Sequence, residues 1–183
     1  MISILSLLFL LGGCGTSHYY ILSTVPQTTT SYKKFQGAVG VEKITLPKYL
    51  FKREIAIAKS DSQVTFLHGA CWAENIDEGL TRRLIGFLQK KFRQPNIYHY
   101  PWGMEVQPRL KVTVEIIRFI AQNGHVYLDG SIRLKNVETG KERAKLFSKS
   151  VPLYHDDASA IVIAMDRAFS LLEEEVALGI NEF

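Results

Sequence analysis

The sequence predicts an α+β fold: a mainly antiparallel sheet with two long helices packed on one face. Three observations carry this. Leu80, Leu84, Leu88 and Phe92 recur every four residues, and Ile161, Met165, Phe169, Leu172 and Val176 recur at three- and four-residue spacing, so two segments each carry an apolar stripe of helical period. Between them, residues 109–122 and 125–137 alternate with period two around Asn123-Gly124, a dipeptide suited to a tight hairpin turn. Further strand-like runs precede the first helix, which gives a layer of strands and a layer of helices rather than regular strand–helix alternation.

The chain opens on an uncharged apolar lead, residues 1–13, that ends in Leu11-Gly12-Gly13-Cys14. An apolar run of about a dozen residues is too short to cross a hydrocarbon layer of roughly 30 Å as a helix, and suits the core of a signal peptide. Small Gly12 and Gly13 let an extended backbone enter a peptidase site, and Cys14 supplies the side chain that can form a thioether to diacylglycerol. Residues 1–13 are therefore expected to be a lipoprotein signal peptide, 14–17 a lipid anchor and short tether, and 18–183 a single periplasmic α+β domain. No Lys or Arg precedes Ile2, so the Met1 amino group is the only positive charge ahead of the apolar run.

Tyr19-Tyr20-Ile21-Leu22 has strand composition and is expected to add an edge strand to the body. Residues 24–34, with Pro26 and the Thr28-Thr29-Thr30 triplet, read as a loop. Val39, Val41, Ile44 and Leu46 mark a strand over 37–47 whose alternation shifts midway, with Pro47 at a strand end or edge because it lacks a ladder donor. A second run around Ile55 and Ile57 turns at Ser60-Asp61-Ser62 into Val64-Thr65-Phe66-Leu67.

The first helix spans 75–93. Asn75 or Asp77 would cap it, Glu78 complements its amino end, Lys90, Lys91 and Arg93 its carboxyl end, and Pro95 closes it; its far face reads as basic and solvated. A short strand over 96–100 ends at Pro101. After the long hairpin, Glu138-Thr139-Gly140-Lys141 turns into a strand over 143–153, expected to bury part of both faces. The closing helix runs from Asp156, capped by Asp156 or Asp157, to about Leu178, where Gly179 would stop it.

The formal charge is +4, from 22 Lys and Arg against 18 Asp and Glu. The excess is mild and spread along the chain, so nucleic acid is a poor candidate partner. Of the two cysteines, Cys14 would be consumed by lipid, and Cys71, between Ala70 and Trp72, reads as a small buried apolar residue. His18, His68, His99, His125 and His155 are scattered singly, with no pair at metal-ligand spacing. No nucleophile elbow or phosphate-cradling glycine loop appears. No catalytic residue, metal or cofactor is therefore assigned. His155-Asp156-Asp157 and the carboxylates Glu74, Asp77 and Glu78 are read as helix-end residues.

Trp72-Ala73-Glu74-Asn75-Ile76-Asp77-Glu78-Gly79-Leu80-Thr81-Arg82 resembles a stretch of the PqiC (YmbA) family of auxiliary lipoproteins. The resemblance extends to Tyr19-Tyr20-Ile21-Leu22 shortly after Cys14, to Val39-Gly40-Val41 leading into Leu46-Pro47-Lys48-Tyr49-Leu50, and to the final helix from Ala164 to Leu172. Phe51-Lys52-Arg53 and Cys71 depart from the family pattern. The resemblance implies a non-enzymatic subunit of an ABC-type, MCE-linked lipid transport system, lipidated at Cys14 and held on the periplasmic face of the outer membrane. It also implies docking to an MCE-domain protein and self-association into a homo-oligomeric ring. Gly15 after Cys14 is compatible with outer-membrane sorting. Tyr49, Trp72 and Trp102 are the interaction candidates, as aromatic residues able to anchor an interface. The alternatives are a scaffold lipoprotein of another envelope machine, such as a secretion pore, and a small periplasmic hydrolase.

Overall fold

The computed structural model describes residues 16–28, 30–33, 35–101 and 107–183; Cys14 and Trp102, and the segment read as a signal peptide, lie outside them. In chain order the elements are β1 (His18–Tyr20), β2 (Val39–Glu42), a 3-10 turn (Lys48–Phe51), β3 (Glu54–Ser60), β4 (Gln63–Trp72), α1 (Ile76–Phe92), β5 (Ile97–Tyr100), β6 (Leu110–Gln122), β7 (His125–Asn136), β8 (Glu142–Pro152) and α2 (Ala158–Asn181). All eight strands form one sheet, and the α+β class predicted from the sequence is the one observed.

The sheet is mixed. Strands joined by short turns are antiparallel: β3 with β4 and β6 with β7 across two residues each, and β7 with β8 across residues 137–141. The shorter pairings, β1 with β4, β2 with β5 and β6, and β3 with β6, are parallel. Strand β6 gives one edge wholly to β7 and divides the other. Val39 lies opposite Leu110 at one end and Ile57 opposite Ala121 at the other, with a Thr45–Glu115 bridge between them. That bridge is why the alternation in 37–47 shifts: β2 ends at Glu42, and Ile44 and Leu46 are buried from a separate crossing.

Both helices share one core with the sheet. Leu80, Leu84, Leu88 and Phe92 of α1 and Met165, Phe169, Leu172 and Val176 of α2 are buried with Leu110, Val112 and Val114 of β6. A register shift between Ile116 and Arg118 then reverses the phase of β6, so Ile117 is 67% exposed while Phe119 is wholly buried.

Several local expectations change. The run expected over 48–59 begins as a 3-10 turn, and the strand proper starts at Glu54. At α1, Asn75 holds the capping position without a side-chain bond. Asp77 lies inside the helix, where its Oδ1 accepts from the Glu78 N–H at 2.9 Å. At α2, Asp157 caps as expected, accepting from the Ala160 N–H at 2.9 Å. Gly179 does not stop α2, which continues to Asn181. Glycine serves packing there, because a Cβ would approach Leu134 Cδ1 to 2.8 Å. Strand β8 buries one face only, through Phe147 and Val151, leaving Leu146 81% exposed. On the inner side Lys145 and Lys149 reach Glu175 of α2 at 2.5 and 2.8 Å. Their hydrogen bonds hold the Glu175 carboxyl below its usual range.

Candidate functional site

The far face of α1, expected to be solvated, is covered in part, with Glu78, Arg82 and Lys90 left exposed. Residues 22–28 and 30–32 pack across it as a strap. Gly79 and Gly86 make room: a Cβ on Gly86 would lie 2.7 Å from Val25 Cγ2, and one on Gly79 would meet Ser23 at 3.4 Å. Arg83 Nη1 donates to the Leu22 carbonyl at 3.1 Å, and Lys91 Nζ reaches Thr30 Oγ1 at 3.0 Å. The Tyr32 N–H donates to the Lys91 carbonyl at 2.9 Å, while the Tyr32 ring packs on Phe92.

Two of the cations in the basic clusters are therefore structural. Arg83 is fully buried. It donates through Nε and Nη2 to both Glu173 oxygens at 3.1 Å, through Nη1 to Asp166 Oδ1 at 2.5 Å and through Nη2 to Ser170 Oγ at 2.8 Å. Lys91, 3% exposed, pairs with Glu174 at 2.8 Å. One cation facing two carboxylates leaves the deeper one in surplus: Asp166 is half exposed, whereas Glu173 is fully buried. Burial pushes Glu173 up from 4.5 to about 7 despite the opposing field and hydrogen bonds of Arg83.

A carboxyl whose folded-state value lies above its unfolded value contributes stability that is fully present below about pH 4.5 and lost as pH rises through about 7. The wild-type urea midpoint is therefore expected to fall relative to that of Glu173→Gln as pH is raised from 5 to 8. A constant difference between the two across that window would contradict the assignment.

Of the candidate interaction residues, the structure places Tyr49 and Trp72 on two different hollows. Tyr49 is half-buried in the 3-10 turn. Its hydroxyl accepts from the Phe119 N–H at 3.0 Å, and burial raises its phenol. It lines a hollow on the outer side of the sheet with Ala58, Val64, Ile117, Arg118 and Ile120, about 340 Å³ in volume. Trp72 ends β4 and is 6% exposed, a core residue whose backbone N–H donates to the Arg53 carbonyl at 2.7 Å. Its indole Nε1 is buried with no hydrogen-bond partner among the described residues. It forms part of a cleft of about 360 Å³ with Phe51, Lys52, Arg53 and the start of α1.

The carboxylates weighed for hydrolysis are engaged elsewhere. Glu74 pairs with Arg82, Asp77 with Lys43 at 2.8 Å, and Asp157 caps α2. Cys71 is a free, buried thiol. Among the described residues no cluster of three or more His, Cys, Asp or Glu could hold a metal ion, and no helix is long and apolar enough to cross a membrane. Sequence reasoning missed Tyr19, Ile21, Phe51 and Arg53, which form an exposed group at the end of β4. Phe51-Lys52-Arg53 was the one available signal, as an aromatic beside two cations just after a turn.

A mixed sheet backed by two helices, with its buried charged groups spent on internal pairing, defines a class of small two-layer α+β proteins already seen in solved structures. An uncharacterised protein is 20% identical over 90% of this chain and 99% of its own, with a TM-score of 0.73. A protein of Xanthomonas campestris assigned to the DUF330 family is 14% identical over 90% of this chain and 95% of its own, also with a TM-score of 0.73. Residues 20–177 match the family described as the ABC-type transport auxiliary lipoprotein component, and the chain belongs to that family. No curated protein matches it in sequence.

Proposed function

We propose that this protein is an outer-membrane-anchored periplasmic lipoprotein subunit of an MCE-linked ABC transport system. Its role there is to dock and steady the MCE-domain protein through which lipids cross the envelope, without catalysis. The observation that carries this reading is the family match over residues 20–177, which begins six residues after Cys14. Strand β1 starts earlier still, at His18, so a lipid on Cys14 would hold the body close to the membrane. Two acyl chains on that cysteine give stable anchoring where one would exchange.

Tyr49, Trp72 and Trp102 are the aromatic candidates for the partner contact. Of the two described, Tyr49 is open to a partner without rearrangement, whereas Trp72 supports the cleft from inside the core. A homo-oligomeric ring belongs to the same proposal and is tested by the mass of the detergent-solubilised protein.

The deciding experiment is membrane fractionation with co-purification. Cys14→Ser is expected to shift the protein from the membrane fraction to the soluble fraction or leave it unprocessed, and to reduce recovery of the MCE-domain partner from intact membranes. A processed, membrane-bound Cys14→Ser product would overturn the anchor. Wild-type protein that crosslinks to a secretin and to no MCE-domain protein would overturn the transport assignment.

A further inference from the structure

Three large apolar side chains are exposed on the two segments that flank the end of β4: Tyr19 at 55%, Ile21 at 51% and Phe51 at 57%. Single exposed apolar residues are ordinary on a protein surface; a cluster of them is not. Backbone bonds hold this cluster in place. The Trp72 N–H donates to the Arg53 carbonyl at 2.7 Å and the Ala73 N–H to the Tyr20 carbonyl at 2.9 Å, which pins β1 and the 51–53 segment to the same two residues. Arg53 Nη2 donates to the Tyr19 hydroxyl at 3.0 Å, and its guanidinium lies 5.3 Å from the Tyr19 ring centroid.

Lys48, Lys52 and Arg53, close to Phe51 in the chain, are exposed, with Glu54 as the exposed counter-charge and Glu74 taken up by Arg82. Aromatic and branched side chains among flexible cations are the composition of surfaces that rest at a lipid interface. The apolar parts enter the headgroup layer, while Lys and Arg reach its phosphates. Chain reach adds a second argument. Tyr19 follows Cys14 by five positions, and an extended chain of that length spans at most about 18 Å.

We propose that Tyr19, Ile21, Phe51, Lys52 and Arg53 form a second contact with the membrane, a patch that seats the domain on an anionic lipid surface with the end of β4 facing the headgroups. The inference rests on Cys14 being the lipid anchor. It adds an orientation, because an anchor alone leaves the domain free to tumble on its tether. The hollow at Tyr49 shares no lining residue, among those described, with the cleft at Phe51, Lys52 and Arg53, and so remains free for a protein partner.

The test uses the full chain, reconstituted into neutral vesicles and into vesicles containing phosphatidylglycerol. An environment-sensitive fluorophore is placed at Phe51→Cys or, as a control, at Leu146→Cys on the exposed β8 edge. Cys71 is buried and Cys14 blocked by lipid, so labelling is confined to the new thiol. The expected result is a blue shift at position 51 on anionic vesicles, absent at 146, suppressed by high salt and lost in the Lys52→Glu, Arg53→Glu background. A position-51 signal as water-like as that at 146, on vesicles that retain the chain, overturns the patch and leaves the anchor intact. So does a shift that follows protein density rather than lipid charge, since it would mark contact with a second copy. Failure of the chain to remain with vesicles, with unmodified Cys14 by mass, overturns the anchor. In that case Cys14 is itself a free thiol, so position 51 is labelled in a Cys14→Ser background; a blue shift with added anionic vesicles then upholds the patch, and its absence removes both.

Discussion

Arg83→Ala is expected to lower the free energy of unfolding by about 3–5 kcal/mol, read as a large fall in the urea midpoint at pH 8. The guanidinium is fully buried and serves Glu173, Asp166, Ser170 and the Leu22 carbonyl at once. Its removal leaves a buried carboxylate without its cation and cuts the first bond that ties the strap to α1. Such a loss is mostly the cost of the unpaired partner, not the net worth of the pair. The double change Arg83→Met, Glu173→Leu is therefore expected to recover most of the lost stability. The deficit of the single variant should also shrink on acidification, since Glu173 can then enter the core protonated. A single variant within about 1 kcal/mol of wild type at pH 8 would show that the network contributes no more than an exposed ion pair.

Gly130→Ala is the second large effect, with an expected loss of at least about 3 kcal/mol and, by circular dichroism, loss of the cooperative transition near physiological temperature. Gly130 lies opposite Ile116 at the register shift in the β6–β7 pair. A Cβ there would collide with the Glu115 carbonyl oxygen and come within 3.0 Å of Ile116 Cα. Both obstacles are backbone in the central strand, so relief requires the sheet to separate, whereas at Gly179 only a terminal methyl of Leu134 stands in the way. Glycine inside a strand often marks such a close backbone approach. Wild-type stability in Gly130→Ala would mean that the register shift can relax freely.

The elements that were legible in the sequence are those with a local physical cause. The stripe from Leu80 to Phe92 needs only the helical period, and Asn123-Gly124 needs only the turn geometry it favours; Asn123 and Gly124 both adopt positive φ, 47° and 73°. Asp157 caps α2 because an Asp side chain reaches the N–H three residues on. Tyr19-Tyr20 read as an edge strand because aromatic residues suit a half-covered sheet surface, and β1 pairs with β4 there.

The candidate site was less legible. Tyr49 and Trp72 were chosen as aromatics, and only the fold separates the half-open phenol from the buried indole. Phe51 and Arg53 stand far from Tyr19 in the chain and meet it because β1 and the 51–53 segment are pinned to the same end of β4.

The sequence by itself determined the α+β class, the two helices and the long hairpin, because each depends on spacing between near neighbours. Tertiary structure alone decided which charges are solvated and which are buried. Arg82 and Arg83 are adjacent, yet one side chain is 58% exposed and the other wholly buried. What separates them is what packs on α1: Arg83 faces α2 and the Leu22 carbonyl, while residues 22–25 cross Gly79 and Gly86. Burial is set by what lies across a surface, and for Arg83 those neighbours come from some sixty positions earlier in the chain and some ninety later.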